Sequence, residues 1–431
     1  MYDEYFHATP FVTLAMVHEM PEIGAFVPGS KRVCGFSSIN RHEGLCMLVE
    51  TDAQLRAFLE RCQQSPYMAI DTEFLREKTY YAKLCLVQVA IEGEVAIIDP
   101  LAVDNIKDMA PVLTNPNIVK IFHACSQDVE ILYHETGVVP KPVFDTQVAA
   151  AILGKSQQAS YAALVQAFCH VNLPKKDSYT DWSRRPLSPS QVEYAADDVN
   201  YLPRIYQRMM QLLKEKNRLS WLDETFEEIS NPAKYEVDPR TRYRKLKRVN
   251  QLTPRQMAAA REFAAWREER AQHANIPRKW VCSDEQIVEA CRREARTLDE
   301  LYMVRGMRQA LRAGDARHAL KCIIRGLDCP EEELPEARKP NKSEANVDVA
   351  VSLLNAIVHL RAKENRIAPQ TLAPQTELMK LARGHVEDCE LLEGWRYRVV
   401  GKELSALLAG EFSLRLSDGD LVIEGNHPKS E

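Results

Sequence analysis

The chain has 431 residues, 27% of them charged and 45% apolar, with a formal net charge of −5. That length exceeds what one compact core usually supports, so two or three domains are expected, and the charge balance excludes a globally basic nucleic-acid binder, leaving only local surfaces for such a role. The eleven cysteines form no CxxC pair, which excludes zinc-ribbon spacing and favours reduced thiols in a cytoplasmic protein over a disulfide framework.

Residues 1–46 show no clear periodicity. The acidic start, MYDEYF, lacks the basic residues of a signal peptide. No apolar run in the chain is long enough to span a bilayer, so no membrane is expected as a partner. From Met47 the text becomes regular: a short strand, then a helix from about Asp52 with Leu55, Phe58 and Leu59 on one face. YMAI, AKLCLVQVAI and EVAIID read as strands, and Glu92-Gly93 makes a tight turn between the last two. A helix near residues 104–113, a strand IVKIFHA, a helix over about 126–135, a strand VFD and further helices to about residue 216 follow. Strands that meander first and then alternate with helices predict a mixed sheet flanked by helices.

Past Trp221 strand signals nearly vanish. Residues 221–250 form a polar, basic connector whose run from Arg242 to Arg248 interleaves Tyr243 with Arg and Lys. Thr253, Pro254 and Gln256 then make a capping box that opens a helical block over 251–328. A Pro- and Glu-rich linker (329–346), a second helical block (347–412) and a polar tail (413–431) complete the chain.

The chemistry lies in the acids. Asp71 and Glu73 follow the apolar run YMAI, and their spacing puts both on one face of a strand. Such a pair repels, each acid raising the other's pKa, unless a cation sits between them. Mg²⁺-like ions are held by one or two carboxylates together with substrate phosphates, although surface acids are the ordinary reading of any single DxE. Asp128 falls on the first turn of a helix, where the dipole alone would favour an acid. Asp145 reads as a helix cap.

In LSPSQVEYAADDVNYLPRIY, Ser188, Pro189 and Gln191 form another capping box. The apolar stripe is Val192, Ala195, Ala196, Val199, Leu202 and Tyr206. Asp198 lies on the flank of that stripe, Asp197 is turned roughly 100° away, and Tyr194 sits one turn before Asp198 on the same face. Periodicity therefore selects Asp198 over Asp197.

DTEF, HACSQD and YAADD, in that order, resemble the three exonuclease motifs of the DEDD superfamily in its tyrosine-bearing branch. The context DTEFLREKTYYAKLCLVQVA, IIDPL, DTQVAAAILG and TDWSRRPLS is similar to the ribonuclease D family. The block opening LTPRQMAAAREF resembles an HRDC domain, and the second block resembles a more diverged one.

The resemblance implies an α/β RNase H-like exonuclease domain over 47–220, with a mixed sheet flanked by helices, followed by two small all-α HRDC-like domains. Residues 1–46 depart from the family and are expected to be a lineage-specific extension or an over-extended start. The implied activity is 3′-5′ exoribonuclease: stepwise release of mononucleotides from RNA 3′ ends by phosphodiester hydrolysis with two divalent ions, Mg²⁺ or Mn²⁺. The implied substrates are tRNA precursors and other structured RNAs. No obligate protein partner is expected.

By similarity, Asp71 bridges the ions, Glu73 and Asp198 complete the hydrolytic metal site, and Asp128 supports the second. Tyr194 orients the attacking water, since a pKa near 10 makes it a poor base at neutral pH. Thr72 and Phe74 are expected to contact the terminal nucleotide through backbone and stacking. His123 and Trp182 join them as substrate-binding candidates, against a hydrogen-bonded structural role for His123 and a packing role for Trp182. The basic run at 242–248 either contacts phosphates or is a solvated connector.

Two other readings compete: a DNA 3′-5′ exonuclease, and a non-catalytic RNA-binding protein with a fossil site. The HRDC-like tail and the absence of a polymerase argue against the first. The complete set of Asp71, Glu73, Asp128, Tyr194 and Asp198 argues against the second.

Overall fold

The computed structural model describes residues 45–174, 180–336 and 346–425. The expected N-terminal extension lies outside them except for its last two residues, as does half of the second linker, residues 337–345. Six strands form one mixed sheet: β1 (Leu45–Val49), β2 (Tyr67–Leu75), β3 (Lys83–Ile91), β4 (Glu94–Ile98), β5 (Val119–Phe122) and β6 (Val143–Asp145). Their order is β1-β4-β3-β2-β5-β6. β2, β3 and β4 are an antiparallel meander, β1 lies parallel to β4, and β5 and β6 extend the other edge in parallel.

Local chemistry accounts for these elements. β3 is buried at every position after Lys83, as a central strand covered on both faces must be. The two-residue turn to β4 needs a left-handed residue and has one, Gly93 at φ +74°. β2 is apolar and buried up to Ile70, and then becomes polar just where its register with β3 shifts, between Glu73 and Phe74. Such a bulge bends a strand and re-aims its side chains.

Helices cover the sheet: α1 (Asp52–Cys62), α2 (Ser126–Thr136), α3 (Thr146–Ile152), α4 (Tyr161–Cys169), α5 (Pro189–Asn200) and α6 (Leu202–Glu215). Near residues 104–113, where a single helix is expected, a 3₁₀ turn (Ile106–Met109) runs into a short helix (Ala110–Thr114) with Pro111 in its first turn. The Ser188–Gln191 capping box forms and starts α5, which packs across β2, β3 and β4.

Beyond α6 the basic segment is packed rather than free. Phe226, Ile229 and Tyr235 join the core of the sheet layer, whereas Tyr243, Leu246 and Val249 join a separate helical core. That second core belongs to α7 (Pro254–Ala274), α8 (Asp284–Arg292) and α9 (Ala313–Leu327), and is centred on Phe263, Ile287 and Ile323. The Thr253–Gln256 capping box opens α7. The following block, with α10 (Asp348–Asn365) and α11 (Lys402–Leu408), instead shares one continuous core with the sheet layer.

An aromatic pin marks that junction. Trp221 and Trp395 stack at 4.3 Å and 7°, with the Arg218 guanidinium 4.7 Å from the Trp221 ring. Where the sequence predicts a polar tail, the chain folds back as a hairpin, β7 (Phe412–Ser417) and β8 (Asp420–Gly425), through Asp418-Gly419. Both turn residues have positive φ, the geometry that an Asp-Gly pair favours. No described helix is long and apolar enough to cross a membrane.

Candidate active site

The alternation of β2 puts Asp71 and Glu73 on the face that α5 covers. One carboxylate oxygen from each of Asp71, Glu73 and Asp198 lies within 4.8 Å of the others. Asp128, on the first turn of α2, comes in from the adjoining strand-helix corner and is buried. The Thr72 hydroxyl, on the opposite face of β2, donates a 2.5 Å hydrogen bond to Asp128 Oδ1 and so ties α2 to the acidic strand.

The electrostatics are those of acids buried close to one another. Burial first, then the charges of Asp128, Asp198 and Glu73, push the Asp71 carboxyl well above the usual carboxylate range. Glu73 is pushed up to about 8 by burial, then by Asp198 and Asp128. Burial raises Asp128 to about 6 against the opposing Thr72 hydrogen bond. No basic side chain is among the leading influences on any of the three. Acids buried together without a cation are costly, and a bound positive charge relieves the cost. The donors are all hard oxygens with no thiol or imidazole, so they fit a hard divalent cation.

Tyr194 stands one turn before Asp198, with its ring 5.9 Å from that of buried Trp182. Burial and the charges of Asp198, Glu73 and Asp71 push its hydroxyl above the ordinary tyrosine value. It therefore keeps its proton at neutral pH and is available to donate a hydrogen bond.

The remaining candidates are placed as follows. Phe74 is half-buried against the core. His123 Nδ1 is 2.9 Å from Thr146 Oγ1, and burial holds its pKa below the ordinary value. Trp182 packs behind Tyr194, and its carbonyl accepts from Arg185, which also makes a two-point bond to Asp99 and reaches the Cys85 carbonyl on β3. Arg185 thereby anchors the loop that carries Trp182 to the sheet. Asp145 caps α3 through Gln147 N and also accepts from Ala124 N and Cys125 N, which fixes the corner before α2. The Asp197 carbonyl accepts from the Tyr161 hydroxyl at 2.8 Å.

Two neighbours of the acids escape sequence reasoning. Tyr161 pins the end of α5, accepting from Tyr201 N as well as donating to Asp197. Gln88 pairs with Asp71 in the β2–β3 register, is fully buried, and its amide has no hydrogen-bond partner among the described residues. It is the one polar residue within the apolar run of β3, which is a usable signal.

The chain's likenesses agree with this geometry. Residues 46–214 match the family described as 3′-5′ exonuclease, and residues 256–323 match the HRDC domain. The chain is 37% identical over 381 residues to the ribonuclease D of Sphingobium indicum, covering 87% of this chain and 97% of that protein. It is also 37% identical over 373 residues to that of a Jannaschia species, covering 85% and 96%. The crystal structure of Escherichia coli RNase D, described as an exoribonuclease involved in structured RNA processing, superposes with a TM-score of 0.74 at 28% identity. The match covers 84% of this chain and 98% of that one.

Proposed function

The chain belongs to the ribonuclease D family of 3′-5′ exoribonucleases, and we propose that Asp71, Glu73, Asp128 and Asp198 hold two divalent ions, Mg²⁺ or Mn²⁺, over the last phosphodiester of an RNA 3′ end. The observation that carries this reading is the convergence of one carboxylate oxygen each from Asp71, Glu73 and Asp198 within 4.8 Å. When bound, such a pair of ions supplies a hydroxide near neutral pH and stabilises the leaving oxygen.

Within that reading the chain's own groups divide the remaining work. Asp71, whose carboxyl feels the charges of Asp128, Asp198 and Glu73, would help to hold both ions. Thr72 holds Asp128 in place and leaves it one carboxylate oxygen free of that bond. Tyr194 donates its hydroxyl proton as a hydrogen bond to orient the attacking water. Tyr194→Phe is expected to lower kcat by about 10²-fold with little change in KM, because an interaction made mainly in the transition state is lost. Steady-state kinetics on a labelled RNA measures the split, and a KM effect alone would argue against this role.

The proposed substrates are the 3′ ends of structured RNAs such as tRNA precursors, in the cytoplasm. The test uses matched 3′- and 5′-labelled RNA and DNA with Mg²⁺, Mn²⁺ or EDTA. Stepwise mononucleotide release from RNA, abolished by EDTA, is expected. Release from DNA with RNA spared would point to the DNA exonuclease reading, and no metal-dependent release from either would point to a non-catalytic protein.

A further inference from the structure

We propose that the cleft between the sheet layer and the first helical block binds the single-stranded RNA just upstream of the 3′ end being removed. The proposal rests on the exoribonuclease reading above and adds a second grip on the same strand. The cleft encloses about 960 Å³. One wall is the segment that continues from β2 past Glu73, with Arg76, Tyr80 and Tyr81, together with the outer side of α2. The facing wall comes from the helical block, with Lys245, Arg278 and Lys279.

The first wall is aromatic. Ring centroids run from Tyr80 to Tyr81 at 4.7 Å, Tyr81 to His134 at 4.6 Å, His134 to Tyr133 at 5.6 Å and Tyr133 to Tyr235 at 6.1 Å. Of these five rings only Tyr235 is buried; His134 is exposed and the others are half-buried. The Arg278 guanidinium lies 4.6 Å from the Tyr80 ring centre, which leaves Tyr81, Tyr133 and His134 as the partly exposed rings. Exposed rings in a basic groove are how single strands are held without sequence preference, base by base.

The charge is local and of the right sign. Six lining residues are Lys or Arg and three are Asp or Glu, in a chain whose formal net charge is −5. Four of the six are already committed. Arg76 pairs with Glu130 at 2.6 Å, Arg267 with Asp284 at 2.7 Å, and Arg278 and Arg242 with the fully buried Glu268. Lys245 and Lys279 have no carboxylate partner among the described residues. A phosphate therefore reaches those two ammonium groups without displacing an existing pair.

The walls are also held at fixed spacing. The Tyr80 hydroxyl donates to Glu268, and the backbone N–H groups of Tyr80 and Tyr81 both donate to Asn275 Oδ1 at 3.1 Å. A cleft preorganised in this way loses less on binding than a mobile one.

The route from the acids is short. Three residues separate Glu73 from Arg76, roughly 10 Å at strand rise. Along α2, Asp128 and His134 are about 9 Å apart. At about 3.4 Å per stacked nucleotide this is roughly three nucleotides. Asp128 points to the sheet and His134 to the outside, so the strand bends round the first turn of α2.

The test compares the parent with Lys245→Ala/Lys279→Ala on RNAs of about three to about fifteen nucleotides, a range that spans single-strand site sizes. Parent KM is expected to fall with length once the strand passes about three nucleotides and enters the cleft. The double variant should lose that gain, with KM about tenfold higher on the longest RNA, within about twofold of the parent on the shortest, and kcat unchanged. Bound by the Asp71→Asn chain, the longest RNA should show a salt slope shallower by about 1.4 when the two lysines are removed, the share of two phosphates on a single strand. An equal loss at every length, or none at any, would overturn the cleft. A parent that degrades no RNA would instead overturn the exoribonuclease reading, while the Asp71→Asn titration would still report on the cleft.

Discussion

Replacing Asp71 with Asn is expected to lower kcat/KM on RNA by at least about 10³-fold, or about 4 kcal/mol of transition-state stabilisation, while the metal-free protein melts at the same temperature or higher. The two halves of this expectation have one cause. Asp71 is the carboxyl on which burial and three neighbouring acids act together, and it is raised well above its usual range. An uncharged group of the same shape removes those repulsions from the folded chain, while the proposed metal site loses one of its carboxylates. Kinetics with a labelled RNA and thermal melts in EDTA measure the two effects. Retained activity would remove Asp71 from the site, and a large drop in melting temperature would make its role structural. Asp197→Asn is the matched control: its side chain lies outside the carboxylate cluster, so activity should stay within about twofold.

That control also shows how far periodicity reaches. The 3.6-residue repeat of α5 separates Asp198 from its neighbour without any tertiary information, and the two-residue repeat of β2 pairs Asp71 with Glu73. The capping boxes at Ser188 and Thr253 are equally local, since both partners lie within one turn. The sheet layer and helical blocks follow from the same kind of signal.

What periodicity does not encode is pairing across long separations. The Thr72–Asp128 bond joins residues 56 apart, so the hydroxyl of a residue expected to meet the substrate through its backbone also holds a carboxylate. Tyr161 reads as one more apolar position of α4, yet its hydroxyl terminates the helix that carries Asp198. Tyr243 sits in a run of cations that reads either as a phosphate contact or as a solvated connector, yet its ring is buried in the helical core while Arg242 and Lys245 line the cleft. The Trp221–Trp395 stack, which fastens the last helical block to the sheet layer, has no local signature at all. The hairpin at Asp418-Gly419 is different: its turn signal is present, and only the polar outer faces of the two strands disguise it.

Without divalent metal, the protein is expected to lose stability as pH rises from about 6 to about 8, and metal should restore more of it at the upper end. Glu73 has an ordinary value of 4.5 and is pushed up to about 8 in the folded chain; Asp128 is pushed up to about 6. Between the unfolded and folded values the folded chain carries more protons than the unfolded one, so stability falls as pH rises. The contribution from Glu73 is fully present below about 4.5 and is lost as pH rises through about 8. A divalent ion competes for the same oxygens, so its apparent affinity should climb by up to about tenfold per pH unit for each proton displaced, and level off above about 8. Melts in EDTA and in Mg²⁺ at pH 6, 7 and 8 should therefore diverge with rising pH, and Glu73→Gln should flatten the EDTA series. An equal metal-induced gain at pH 6 and pH 8 would contradict the coupling. The same competition predicts that raising metal concentration moves the acid limb of the RNA-hydrolysis profile to lower pH. A limb that stays fixed as metal is raised would place the titrating group outside the cluster of Asp71, Glu73 and Asp198.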